Sequence, residues 1–107
     1  MILLLRYFFD PGSGTCLWSG NDAARARFDY PVRAEDLPLS AETRERADRI
    51  TTWYDSGLNW NDPTGPSPWD EDEETRFAAA AQELLGVLRR ELGPEFEVRD
   101  ESRTTAD

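Results

Sequence analysis

The sequence predicts an α+β fold: a small sheet of about three strands, in β-β-α-α-β order, covered by an antiparallel helical pair. Three observations carry this expectation. Residues 2–9 are apolar or aromatic at almost every position, which marks a strand. Two later segments, from Ser40 to Gly57 and over 68–92, repeat apolar residues at helical spacing. Residues 96–100 alternate with period two and read as a closing strand.

In the first strand Leu3, Leu5, Tyr7 and Phe9 share one face, and Ile2, Leu4, Arg6 and Phe8 share the other. Apolar groups on both faces predict a central strand, with the closing strand beside it on the side away from the hairpin partner. Asp10-Pro11-Gly12-Ser13-Gly14 supplies a turn, because Pro fixes φ and two glycines permit positive φ. A second strand follows over 15–19. Without a following helix or a lysine, Gly12 and Gly14 do not make a phosphate cradle. In residues 20–39, Asn21 or Asp22 caps a short turn, Phe28 and Tyr30 anchor the segment, and Pro31 and Pro38 prevent one long helix. So long a connection contains a short element of its own or belongs to a binding surface.

Ser40 caps the first long helix, and Thr43, Ala47, Ile50, Tyr54 and Leu58 fall on one stripe, with Gly57 as its stop. Ser67-Pro68-Trp69-Asp70 then carries a helix-start pattern: Ser as cap, Pro in the first turn and a carboxylate three residues past the cap. Phe77, Ala81, Leu84, Leu88 and Leu92 form the buried stripe of that second helix, which Gly93-Pro94 ends. Residues 1–101 make one domain and 102–107 a polar tail.

Composition excludes several functions. The chain has 12 basic and 22 acidic residues, a formal charge of −10, no histidine and one cysteine among 107 residues. Every basic residue is arginine, which fits a GC-rich bacterial genome. Such a charge repels nucleic-acid phosphates and anionic membranes. Without histidine the commonest general base and metal ligand are gone, and Ser40 and Ser67 have nothing to activate them. A lone Cys16 excludes an intrachain disulfide and suits a reducing cytoplasm. The apolar start is broken by Arg6 and has no cleavage site, so it reads as a strand and not as a signal peptide.

The candidate binding surface lies between Arg49 and Arg76, where no basic side chain occurs. It carries the carboxylates Asp55, Asp62, Asp70, Glu71, Asp72, Glu73 and Glu74 among Trp53, Tyr54, Trp60 and Trp69. Charge steers a basic partner and large aromatics anchor it. The plainer alternative makes the tryptophans core and the acids at 70–74 a helix start. The acids also lack the spacing of a calcium loop, so no metal and no cofactor is expected.

Several runs look familiar together: residues 7–22 around the glycine turn, Leu37-Pro38-Leu39-Ser40, Trp53-Tyr54-Asp55, Leu58-Asn59-Trp60, Pro66-Ser67-Pro68-Trp69 and Glu91-Leu92-Gly93. They resemble small, uncharacterised acidic bacterial proteins. In size, charge and make-up the chain also resembles the acidic immunity proteins that accompany secreted toxins. That resemblance implies a protein partner and carries over no catalytic residues. The expected function is a monomeric, cytoplasmic, non-catalytic inhibitor covering a cognate basic toxin through Trp53, Asp55, Trp60, Asp62 and residues 69–74. A small enzyme or ligand-binding protein with Trp60, Trp69 and Asp62 lining a pocket is the alternative. A homodimer burying the tryptophan surface is the third reading.

Overall fold

A computed structural model describes residues 2–62 and 64–102. Residues 103–107 of the expected tail lie outside them. The architecture is α+β, with a four-stranded mixed sheet in the order β3-β2-β1-β4. The strands are β1 (Leu3–Tyr7), β2 (Leu17–Ser19), β3 (Pro31–Val32) and β4 (Phe96–Asp100). The helices are α1 (Asp22–Phe28), α2 (Ala41–Asp55) and α3 (Glu71–Leu92), with a 3-10 turn at Ala34–Asp36. The expected three strands and two helices therefore gain one of each, both inside residues 20–39.

The first strand is central, as its two apolar faces predict. It pairs antiparallel with β2, placing Tyr7 opposite Leu17, and parallel with β4, placing Leu3 opposite Phe96. Gly12 and Gly14 take φ of 81° and 78° in the turn, values a side chain resists. Leu3, Leu5 and Tyr7 join Leu17, Val32 and Val98 in one core with residues of all three helices. The buried Tyr7 hydroxyl donates to the Ala81 carbonyl at 2.8 Å, so the one polar atom that β1 sends inward is satisfied. On the opposite face Phe8 stacks on Trp18 at 4.9 Å, and Arg6 lies 5.1 Å from the Phe8 ring.

Residues 20–39 hold α1 and β3. Asn21 caps α1 by accepting from the Ala24 N–H at 2.9 Å, and its amide donates to the Ile2 carbonyl at 3.0 Å. Phe28 stacks on Phe96, tying α1 to β4. The Thr15 hydroxyl donates to the Val32 carbonyl at 2.6 Å and so secures β3, which is only two residues long.

Helices α2 and α3 run antiparallel. The start of α2 meets the end of α3, where the Thr43 hydroxyl donates to Glu91 at 2.6 Å. The end of α2 meets the start of α3, where the Trp53 indole donates to Glu73 at 2.9 Å. Ser40 is the cap of α2, as its sequence predicts. The cap of α3 is Asp70, which accepts from the Glu73 N–H at 2.8 Å, and not Ser67. Ser67 instead donates to the Gly57 carbonyl at 2.6 Å and accepts from the Trp69 N–H. The polar outer edge of β4 is closed by α3, because Arg89 donates from Nε and Nη2 to the Val98 carbonyl at 3.2 and 2.8 Å.

Candidate functional site

The acidic-aromatic segment begins on the last turn of α2 and ends on the first turn of α3. Trp53 is half-buried between them, edge-on to Phe77 at 5.2 Å and tilted against Trp69 at 6.0 Å. Trp69 lies 5.1 Å from Phe77, and its indole donates to the Ser56 hydroxyl at 2.9 Å. A side chain at Gly57 would meet the Trp69 ring at 2.9 Å. Gly57 is therefore required by the ring above it, and it directly follows the Ser56 C-cap at which α2 stops, without a positive φ. Trp53, Trp69 and Glu73 thus form a structural clasp at the helical hairpin tip.

Trp60 stands apart. It is 58% exposed, and it is the one tryptophan of the four to be exposed. Its indole donates to the Asp55 carbonyl at 2.9 Å, and its ring edge approaches Gly12 in the β1–β2 turn. The Asp55 carboxylate accepts from the Gly12 N–H at 2.9 Å. One carboxylate and one ring therefore pin two loops from distant parts of the sequence. The linker is ordered locally: the Asn59 side chain accepts from the N–H groups of Asn61 and Asp62 at 3.1 Å. Asp62 accepts from the Thr64 hydroxyl at 3.0 Å. Glu71, Asp72 and Glu74 project outward from the first turn of α3, with Asp72 3.7 Å from Arg76. The structure thus brings Asp55 and Trp60 together, while Trp69 packs on Gly57 and Phe77 and bonds to Ser56.

A groove of about 730 Å³ opens at the carboxyl ends of β1 and β4, with the paired Arg6 and Glu101 in its wall. Phe8, Phe9, Tyr54 and Phe77 line it with Gln82 and Glu101. Phe9 stacks on Tyr54 at 5.2 Å and meets Phe77 edge-on at the same distance. Burial raises the Tyr54 hydroxyl above its ordinary pKa, and Asp10 and Asp55 push it the same way. Glu101 is held below the usual carboxylate range by its hydrogen bond from Arg6, at 2.9 Å. Burial raises the Asp100 carboxyl, but hydrogen bonds from Ser102 and Gln82 outweigh it and leave its pKa lowered. The sequence signal for this groove was present in the Ala78-Ala79-Ala80-Ala81 run, which leaves the start of α3 without bulk beside Phe9.

Burial pushes the Cys16 thiol up to about 12, so it is protonated and unreactive at neutral pH. Among the described residues no three acidic or thiol groups converge as a metal site. A second cleft, of about 650 Å³, is bordered by Cys16, Arg33 and Arg44. Neither cleft is lined by Trp60, Trp69 or Asp62, so the tryptophan pocket required by the ligand-binding alternative is not formed by these two. Among the described residues no helix is long and apolar enough to cross a membrane.

Residues 8–101 match the family model described as Serratia CdiI immunity protein-like, and the chain belongs to that family. The resemblance to toxin-immunity proteins that the sequence carries is borne out by this match. No curated protein matches the chain.

Proposed function

We propose that this chain is a non-catalytic immunity protein that neutralises a cognate basic toxin by covering its functional surface. Membership of an immunity protein-like family supports a toxin as the partner. The observation that carries the choice of surface is Trp60, exposed at 58% and bonded through its indole to the Asp55 carbonyl, in a stretch of chain that also carries the exposed Asp62, Glu71, Asp72 and Glu74. Trp60 is the anchor in this reading. Asp55, Asp62, Asp70, Glu71, Asp72 and Glu74 steer the encounter, while Trp53, Trp69 and Glu73 hold the edge in shape. The net charge of −10 favours a basic partner over long range and at low salt.

The test uses the toxin encoded beside this chain, purified and titrated with it. Trp60→Ala is expected to weaken binding by about 2 kcal/mol or more, roughly thirtyfold, while leaving the fold intact. Reversing Asp70, Asp72 and Glu74 together is expected to slow association more than it speeds release. An affinity indifferent to Trp60 and to the acids would place the binding surface elsewhere.

A further inference from the structure

We propose that Trp60 and the β1–β2 turn form one preformed recognition face for the basic partner, and that Asp55 is the positioning residue of that face. The inference deepens the reading of Trp60 as an anchor and rests on it for the partner alone. An exposed side chain in a linker ordinarily changes rotamer freely, but Trp60 is held from three directions. Its indole donates at 2.9 Å to the carbonyl of Asp55, the last residue of α2, one of the carbonyls that a helix end leaves without an internal partner. The Asn59 side chain bonds to the N–H groups of Asn61 and Asp62, which fixes the backbone on which the ring is carried. The ring edge rests on the turn: a Cβ on Gly12 would lie 3.6 Å from Trp60 Cη2, an ordinary contact distance.

The turn is fixed as well. The Ser13 N–H and hydroxyl both donate to the Asp10 carbonyl, at 3.1 and 2.7 Å, and the Gly12 N–H donates to the Asp55 carboxylate at 2.9 Å. Asp55 thus holds the ring with its carbonyl and the turn with its carboxylate, from the end of a helix and not from a loop. Beyond its charge it sets geometry, which the exposed Glu71 and Glu74 do not share. An anchor that is ordered only on association loses rotamer freedom at that moment, whereas one already held loses little. Residues 10–14 are exposed, as Trp60 is, so both are open to a partner. A group seated on the outer face of the ring borders the turn, because the ring edge already touches it. Gly12 leaves that border bare, and its φ of 81° resists any side chain there.

The first measurement needs no partner. In the isolated protein the heteronuclear NOE of the Trp60 indole N–H is expected to match those of Trp53 and Trp69, whose indoles are also hydrogen-bonded. Asp55→Ala is expected to lower the NOE at the Trp60 indole and the Gly12 amide. Asp55→Asn is expected to keep both, because its side-chain oxygen still accepts from Gly12. The second measurement is binding kinetics with the toxin encoded beside this chain. Both variants lose one charge and are expected to slow association alike, but only Asp55→Ala is expected to speed dissociation, by about fivefold for one exposed hydrogen bond. Pro11→Arg puts a cation on the turn and is expected to weaken binding about tenfold. Pro94→Arg, the same change at the opposite end of the sheet, is expected to alter it less than about twofold. A Trp60 indole that moves freely in the parent protein, or equal dissociation of the Ala and Asn variants, overturns the positioning role. Equal effects of the two arginines overturn the place of the turn in the face. A rigid Trp60 with a toxin affinity that ignores Trp60→Ala overturns instead the choice of anchor, and the recognition face with it.

Discussion

At the scale of single residues, two tryptophans nine positions apart have opposite roles, and their neighbours decide which. Trp69 has a glycine beneath it and an aromatic cluster beside it; Trp60 has a turn on one side and solvent on the other. Gly57→Ala places a Cβ 2.9 Å from the Trp69 ring, so the ring or the backbone must shift. Overpacking of this kind is expected to cost about 1–3 kcal/mol, read as a lower midpoint in urea denaturation with an unchanged slope. An unchanged midpoint would mean that Trp69 is not seated on Gly57. Composition alone leaves this division of labour invisible, because an aromatic in a Pro/Gly linker satisfies the core reading and the surface reading equally. What separates them is a partner from elsewhere in the chain, Gly12 for Trp60 and Phe77 for Trp69.

At the scale of elements, legibility followed the range of the deciding interaction. The glycine turn, the Ser40 cap and the apolar stripe of α3 are local patterns, and the structure keeps them. The start of α3 is different: both Ser67 and Asp70 fit a cap, and the docking of Trp69 selects the later one. The third strand is too short for any period to show, and only its bonds to β2 and Thr15 define it. The parallel pairing of β1 with β4 depends on contacts between opposite ends of the fold, which no local pattern encodes. Glu91 is a further case, a residue of α3 that completes the cap of α2. Its carboxylate accepts from the Thr43 hydroxyl and from the Ser40 N–H at 2.8 Å, and these bonds hold its pKa below the ordinary value of a glutamate. A carboxylate whose folded pKa is depressed stabilises the fold above its unfolded pKa, and that stabilisation is lost as pH falls through the folded value. Glu91→Gln is therefore expected to cost about 1 kcal/mol at pH 7 for this partly exposed site. The gap from the parent protein should narrow as acid protonates Glu91; a gap that stays constant as pH falls through the carboxylate range would remove the carboxylate from the account.

At the scale of the whole molecule, the charge of −10 acts on folding and on binding in opposite directions. Self-repulsion among the acids destabilises the compact chain, and salt screens it. The same screening weakens attraction to a basic partner. Raising sodium chloride from about 20 to about 300 mM, across which the Debye length shrinks severalfold, is expected to raise the melting temperature of the isolated protein and lower its affinity for the toxin. A partner bound equally well at both salts would not be recognised by charge. The parallel pairing of β1 and β4 has a temporal consequence as well. Leu3 pairs with Phe96, so the central strand emerges from the ribosome well before this neighbour. Local pieces such as the β1–β2 hairpin and α1 can form during synthesis, but the sheet closes only when the whole matched region is out. Translation cut short before residue 96 leaves the sheet without β4, and leaves Arg89 without the Val98 carbonyl that it clasps. A chain at that stage has its central strand paired on one side only, with β2, until residues 96–100 are added.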